Sequence, residues 1–165
     1  MKVKFDFSEI VRSSLDEGLK SLKSFDEIKN AAEDFGRAVV SELSSRYSVP
    51  LEVKNEPMIA TEGGQGAVVR WADTVGMADS WTLSAYQPDS NKTIRMINYH
   101  VDPTSCYPCV IQSGTQNILC SDIERFKEGL GRAFEDKALA ISNEIRALSQ
   151  EAESSAEYNV VSKEA

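Results

Sequence analysis

The sequence predicts an α+β fold, and three features of its patterning carry that prediction. Apolar residues recur at helical spacing toward both ends of the chain. The middle, residues 51–120, switches to short segments rich in β-branched and aromatic residues. The links between those segments are too short for crossover helices, so the sheet is expected to be an antiparallel meander of about five strands.

Taken in order, Lys2 to Phe7 alternates apolar Val3, Phe5 and Phe7 with Lys2, Lys4 and Asp6, which suggests a short strand. Ser8 then offers an N-cap to a helix reaching about Leu22, with Val11, Leu15, Leu19 and Leu22 on one side. Ser24-Phe25-Asp26-Glu27 has the form of a capping box, so a second helix is expected from there to about Tyr47, with Ile28, Ala32, Phe35, Val39 and Leu43 as its stripe. Pro50 ends it, because proline disfavours helix at the preceding residue and has no amide proton. The expectation over 8–47 is therefore an N-terminal helical pair.

The meander is expected from LEVKNE, GAVVRWA, SWTLSAY, KTIRMINYHV, YPCVIQ and TQNIL, separated by turn compositions such as EGGQG, QPDSN and DPTS. In KTIRMINYHV both faces carry apolar residues, which places that strand in the centre. Ser121-Asp122-Ile123-Glu124 is a second capping box and opens a helix over 121–149 that packs on one face of the sheet. Residues 151–165 hold four acids and one base in a Ser/Glu-rich stretch, read as a disordered acidic tail after a single domain over 1–150.

Hydrophobic residues make up 41% and charged residues 27%, enough apolar material for a core without disulfides or metal. No apolar run approaches the roughly 20 residues of a membrane-spanning helix. The net charge of −8 argues against a general nucleic-acid or anionic-membrane binder, so neither is expected as a direct partner. MKVKFDFSEI lacks the apolar core of a secretory signal, and an odd number of cysteines fits a reducing compartment; the expected location is cytoplasmic.

Chemistry-bearing motifs are sparse. Cys106-Tyr107-Pro108-Cys109 is a C-x-x-C pair, but it opens a strand, where no helix N-terminus would favour a thiolate. His100, Cys106, Cys109 and Cys120 together make a zinc-type ligand set, yet Cys120 has no near partner in sequence; the expectation is no metal and no cofactor. The only histidine, His100, has Asp102 as its one local orienter and no nucleophile motif beside it. Gly63-Gly64-Gln65-Gly66 leads into a strand and lacks the lysine of a phosphate loop. Arg70, Trp71, Trp81, Arg95, Tyr99 and His100 form the candidate ligand-binding set, an aromatic face with polar contacts.

What is missing from the sequence favours a non-enzymatic acidic binding protein, an adaptor or inhibitor that occupies a protein partner. Small acidic chains of this kind look like accessory proteins of mobile elements, which would give an adaptor its setting. The alternatives are a small-molecule binder or enzyme using the aromatic face, and an acidic mimic that blocks a nucleic-acid-binding protein. A homodimer is also expected. The C-terminal helix is longer than a strand, so its stripe through Ile141, Ile145 and Leu148 would overhang the sheet and need covering, by a second copy or, in a monomer, by the N-terminal helical pair of the same chain.

Overall fold

A computed structural model describes residues 7–58, 80–114 and 116–164, with side chains omitted at 152 and 155–164. Helix α1 spans Phe7–Tyr47, followed by strands β1 Glu52–Pro57, β2 Ser80–Gln87, β3 Lys92–Asp102, β4 Cys106–Ser113 and β5 Gln116–Cys120, then helix α2 over Ile123–Glu164. The five strands lie in chain order β1-β2-β3-β4-β5, and each pairs antiparallel with the next, as the short links require. Both helices pack on the same face: α1 against β1 and β2, α2 against β3, β4 and β5. The chain is therefore an α+β protein with an antiparallel meander. The expected segment at 66–72 lies outside the described residues, as do Lys2 to Asp6 of the expected first strand; Phe7 is helical.

The expected N-terminal pair is one helix of 41 residues. No glycine or proline stands between Leu22 and Phe25, and serine costs a helix interior only about 0.5 kcal/mol. Breaking there would create two more helix ends, each with four orphaned backbone groups. The S-x-x-E pattern at Ser24 is accordingly read through. At the second such motif the helix does begin, but Asp122 is the cap and not Ser121: its Oδ1 accepts the Arg125 amide at 2.9 Å, and its carbonyl accepts the Phe126 amide at 3.0 Å. The same helix continues to Glu164, so the disordered tail expected after residue 150 is replaced by helix, with Glu151 paired to Lys92 and exposed.

The core lies between the sheet and the two helices. Ile28, Ala32, Val39 and Leu43 of α1 meet Trp81, Leu83 and Ala85 of β2 and Ile97 and Tyr99 of β3; Phe126, Leu130, Ile141, Ile145 and Leu148 come from α2. Gly36 lets α1 approach the sheet closely, since a Cβ there would lie 2.8 Å from Val53 Cγ1 and 2.9 Å from Leu83 Cδ1. Ring pairs Phe35–Phe134 and Tyr99–Phe126 fasten α1 to α2 and α2 to β3. Ile141, Ile145 and Leu148 are 2%, 0% and 6% exposed, so the stripe expected to need covering is covered within the chain. The two helices run in the same direction, with Phe35 beside Phe134 and the Ser149 hydroxyl donating to the Tyr47 carbonyl at 3.0 Å.

Candidate functional site

Among the described residues, exposed large apolar side chains cluster at the other end of the molecule, on α1, with Leu119 and Leu139 exposed singly elsewhere. A helix of 41 residues is about 62 Å long, while an eight-residue strand reaches only about 27 Å. Coverage of α1 begins at Phe25, whose ring centroid lies 5.6 Å from that of Trp81, with the Lys29 ammonium 5.9 Å from the same indole. Residues 7–24 project beyond that point as an arm. Phe7 is 71% exposed, Leu15 and Leu19 63% each, and Val11, Leu22 and Ile10 about half. At 100° per residue, Phe7, Val11, Leu15, Leu19 and Leu22 fall within an arc of about 120°, and that arc overlaps the one Gly36, Val40 and Leu43 turn to the core. One continuous apolar face thus runs the length of α1, covered in its second half and bare in its first.

A braced turn holds the base of the arm. Asp102 Oδ1 accepts the amides of Thr104 and Ser105, each at 2.9 Å, and these two bonds hold its carboxyl below the usual range. The turn tip reaches α1, where the Ser21 hydroxyl donates to the Thr104 carbonyl at 3.1 Å and the Cys106 thiol to the Ser21 carbonyl at 3.1 Å. Between the arm and this tip lies a groove of about 610 Å³, walled by Leu15, Leu19 and Leu22 on one side and Pro103 and Thr104 on the other. Gly18 lies in its floor with open space above it.

The six residues expected to bind a ligand are not gathered in one place. Trp81 and Tyr99 turn toward the helices and are 8% and 2% exposed. Arg95 and His100 are exposed on the opposite face of the sheet, in register with Ser84 and Ser80. Arg70 and Trp71 lie outside the described residues. His100 Nδ1 is 3.2 Å from the Ser80 hydroxyl, and Asp102 is engaged by the turn, so the carboxylate does not orient the imidazole.

The sheet also divides the zinc-type set. Cys109 and Cys120 are register partners on β4 and β5 and are fully buried on the helix side, away from His100. Among the described residues no group of three or more His, Cys, Asp or Glu side chains is placed to hold a metal ion. The Cys109 thiol donates to Cys120, and that bond, with burial, pushes its pKa up; burial first, and then the Asp102 charge, raises that of Cys106.

Phe7 and Ile10 carry the bare surface together with Val11, Leu15, Leu19 and Leu22, and sequence reading did not include any of the six among the site residues. The available signal was length: an apolar stripe from residue 7 to residue 43 on one helix exceeds what strands of this size can cover. Comparison with protein-family models, with curated proteins and with solved structures returns no match to this chain.

Proposed function

We propose that the protein is a non-enzymatic binding protein, an adaptor or inhibitor that acts by occupying a protein partner, and that the α1 arm is its docking surface. One observation carries the reading: Val11, Leu15, Leu19 and Leu22 stand more than half exposed, with Ile10 at 49%, on a helix whose apolar stripe is buried from Ile28 to Leu43. Contiguous apolar surface beyond a few hundred Å² marks an interaction site on a protein in water. An amphipathic helix presents such surface in the i, i+4, i+7 pattern that a helical partner or a groove reads. The Asp102 turn and the Phe25–Trp81 contact fix the direction of the arm, which lowers the entropy lost on docking.

The test is a photoreactive side chain at Leu19 in cells. A cross-linked protein should be recovered, identified and purified, and its binding should fall at least tenfold with Leu15→Asp. Recovery of no cross-linked protein, or equal binding to the Leu15→Asp chain, overturns the reading.

A further inference from the structure

We infer that Cys109 and Cys120 form an oxidation site, a dithiol that hydrogen peroxide closes into a reversible disulfide between β4 and β5. The C-x-x-C motif suggests a different couple, Cys106 with Cys109, and the fold separates those two. The Cys106 thiol is turned to α1, where it donates to the Ser21 carbonyl at 3.1 Å. Cys109 has Cys120 as its register partner on the neighbouring strand.

Register supplies the geometry. Residues opposite each other on an antiparallel ladder stand about 4.5–5.5 Å apart at Cα and direct their side chains to the same face. A disulfide spans about 4.4–6.8 Å between Cα atoms, so the backbone need not move far for this pair to close. Both side chains are fully buried on the helix side, and the Cys109 thiol donates to the Cys120 sulfur. Gly129 brings α2 down onto the same sulfur, since a Cβ there would lie 3.3 Å from it, which limits the rotamers that would turn Cys120 away from β4. The alternative couple has its first sulfur engaged on α1 and no such alignment.

Access comes from the edge of the sheet. Strand β5 pairs on one side only, with β4, and Cys120 is its last residue. Asn117 and Leu119 along it are exposed. The end of an edge strand opens at lower cost than the centre of a sheet. Hydrogen peroxide is little larger than water and enters openings too small for an aromatic disulfide reagent.

The chemistry balances in two steps. Accepting the Cys109 bond favours the thiolate of Cys120, which makes it the attacking sulfur. It attacks one peroxide oxygen, the O–O bond breaks, and the departing hydroxide leaves as water with the proton that Cys120 has lost. The product is a sulfenic acid at Cys120. The Cys109 sulfur then attacks the Cys120 sulfur, the S–O bond breaks, and hydroxide leaves as water with the Cys109 proton. Two thiols are oxidised by two electrons and one peroxide is reduced to two waters.

Incubation of the full folded chain in millimolar hydrogen peroxide, followed by alkylation in urea and chymotryptic digestion without reductant, tests this. Cleavage after Leu119 parts Cys120 from the other two cysteines. Free thiols should fall from three to one, with the Cys109 and Cys120 fragments joined, Cys106 alkylated, and the link reversed by dithiothreitol. Cys106→Ala should form the same link at the same rate. Cys109→Ala should form none and should yield a dimedone adduct at Cys120. Three free thiols after peroxide, an internal Cys106–Cys109 link, a disulfide between chains, or a link in Cys109→Ala overturns the inference. Where a variant loses the circular dichroism of the wild type, the wild-type fragments decide alone.

Discussion

The ring of Phe25 stands 5.6 Å from that of Trp81 at an interplanar angle of 55°, the ring contact at which the sheet begins to cover the apolar face of α1. Before it, Leu15, Leu19 and Leu22 are more than half exposed and only Ser21 is tied to the turn and β4; after it, Ile28 and Ala32 are fully buried. Trp81→Ala would empty a core position where the indole is 8% exposed, and should destabilise the chain by about 3 kcal/mol in urea unfolding. Amide exchange at residues 20–24 should quicken in the same variant, because the base of the arm loses its anchor. A stability loss below about 0.5 kcal/mol would mean that the indole is not an anchor.

Gly36 and Gly18 occupy the same helix with opposite surroundings. A methyl at residue 36 would press on Val53, whose branched side chain has little freedom, and on fully buried Leu83. Gly36→Ala gains about 1 kcal/mol of helix propensity and loses about 1–3 kcal/mol to overpacking, so the midpoint should fall or at best hold. Gly18→Ala meets nothing within 4 Å, so its propensity gain of up to about 1 kcal/mol has no packing cost against it; the midpoint should hold or rise and amide exchange across the arm should slow. The opposite ranking of the two midpoints would contradict the packing of α1 on the sheet.

The meander was legible because Lys92–Asp102 and its neighbours are bounded by tight turns that leave room for one topology. The single α1 was not, because a capping pattern is local and Ser24 satisfies it whether or not a break follows. His100 follows Tyr99 directly and so faces the other way by alternation alone, but the placement of Arg95 has a sharper cause. Arg95, Ile97 and Tyr99 share parity, which on a regular strand would place them on one face. The pairing of β2 with β3 shifts between Leu83 and Ser84, so that Met96 is an extra residue without a partner across the ladder. Met96 and Ile97 are both fully buried as a result, Ile94 joins the core, and Arg95 turns outward. Parity reading cannot see a bulge. The exposed arm was half legible: Val11, Leu15, Leu19 and Leu22 fall on one side of a helix, but the sheet's reach along α1 is a tertiary fact.

The three thiols should be silent in the folded protein. Cys106, Cys109 and Cys120 are each 0% exposed, and the raised pKa values of Cys106 and Cys109 deplete the reactive thiolate further. The bond from Cys109 shifts Cys120 the other way, downward, so its silence rests on burial alone. Ellman's reagent at pH 8 should label less than one thiol per chain over minutes in buffer, and all three at once in urea. Rapid labelling of even one thiol without denaturant would contradict this burial.

Tyr99 gives the fold an alkaline limit. Burial, chiefly, holds its phenol protonated well above the usual tyrosine range, and its hydroxyl donates to Asn55 Oδ1 at 2.9 Å. Unfolding exposes the phenol, whose ordinary pKa is 10.0, so above that pH the unfolded chain binds fewer protons than the folded one. Stability from this group is complete below pH 10 and declines as pH rises further. Tyr107, whose hydroxyl is buried without a hydrogen-bond partner among the described residues, acts in the same direction. Tyr99→Phe keeps the ring against Phe126 but leaves Asn55 Oδ1 without its donor, in a residue whose Nδ2 already has no partner. It should therefore cost about 1–2 kcal/mol at pH 8. Between pH 10 and 11.5 the variant should lose stability less steeply than the wild type, with Tyr107 supplying part of the slope that remains. Urea midpoints at three pH values in that range decide the matter: parallel slopes for the two chains would show that the Tyr99 phenol is not buried in the folded state.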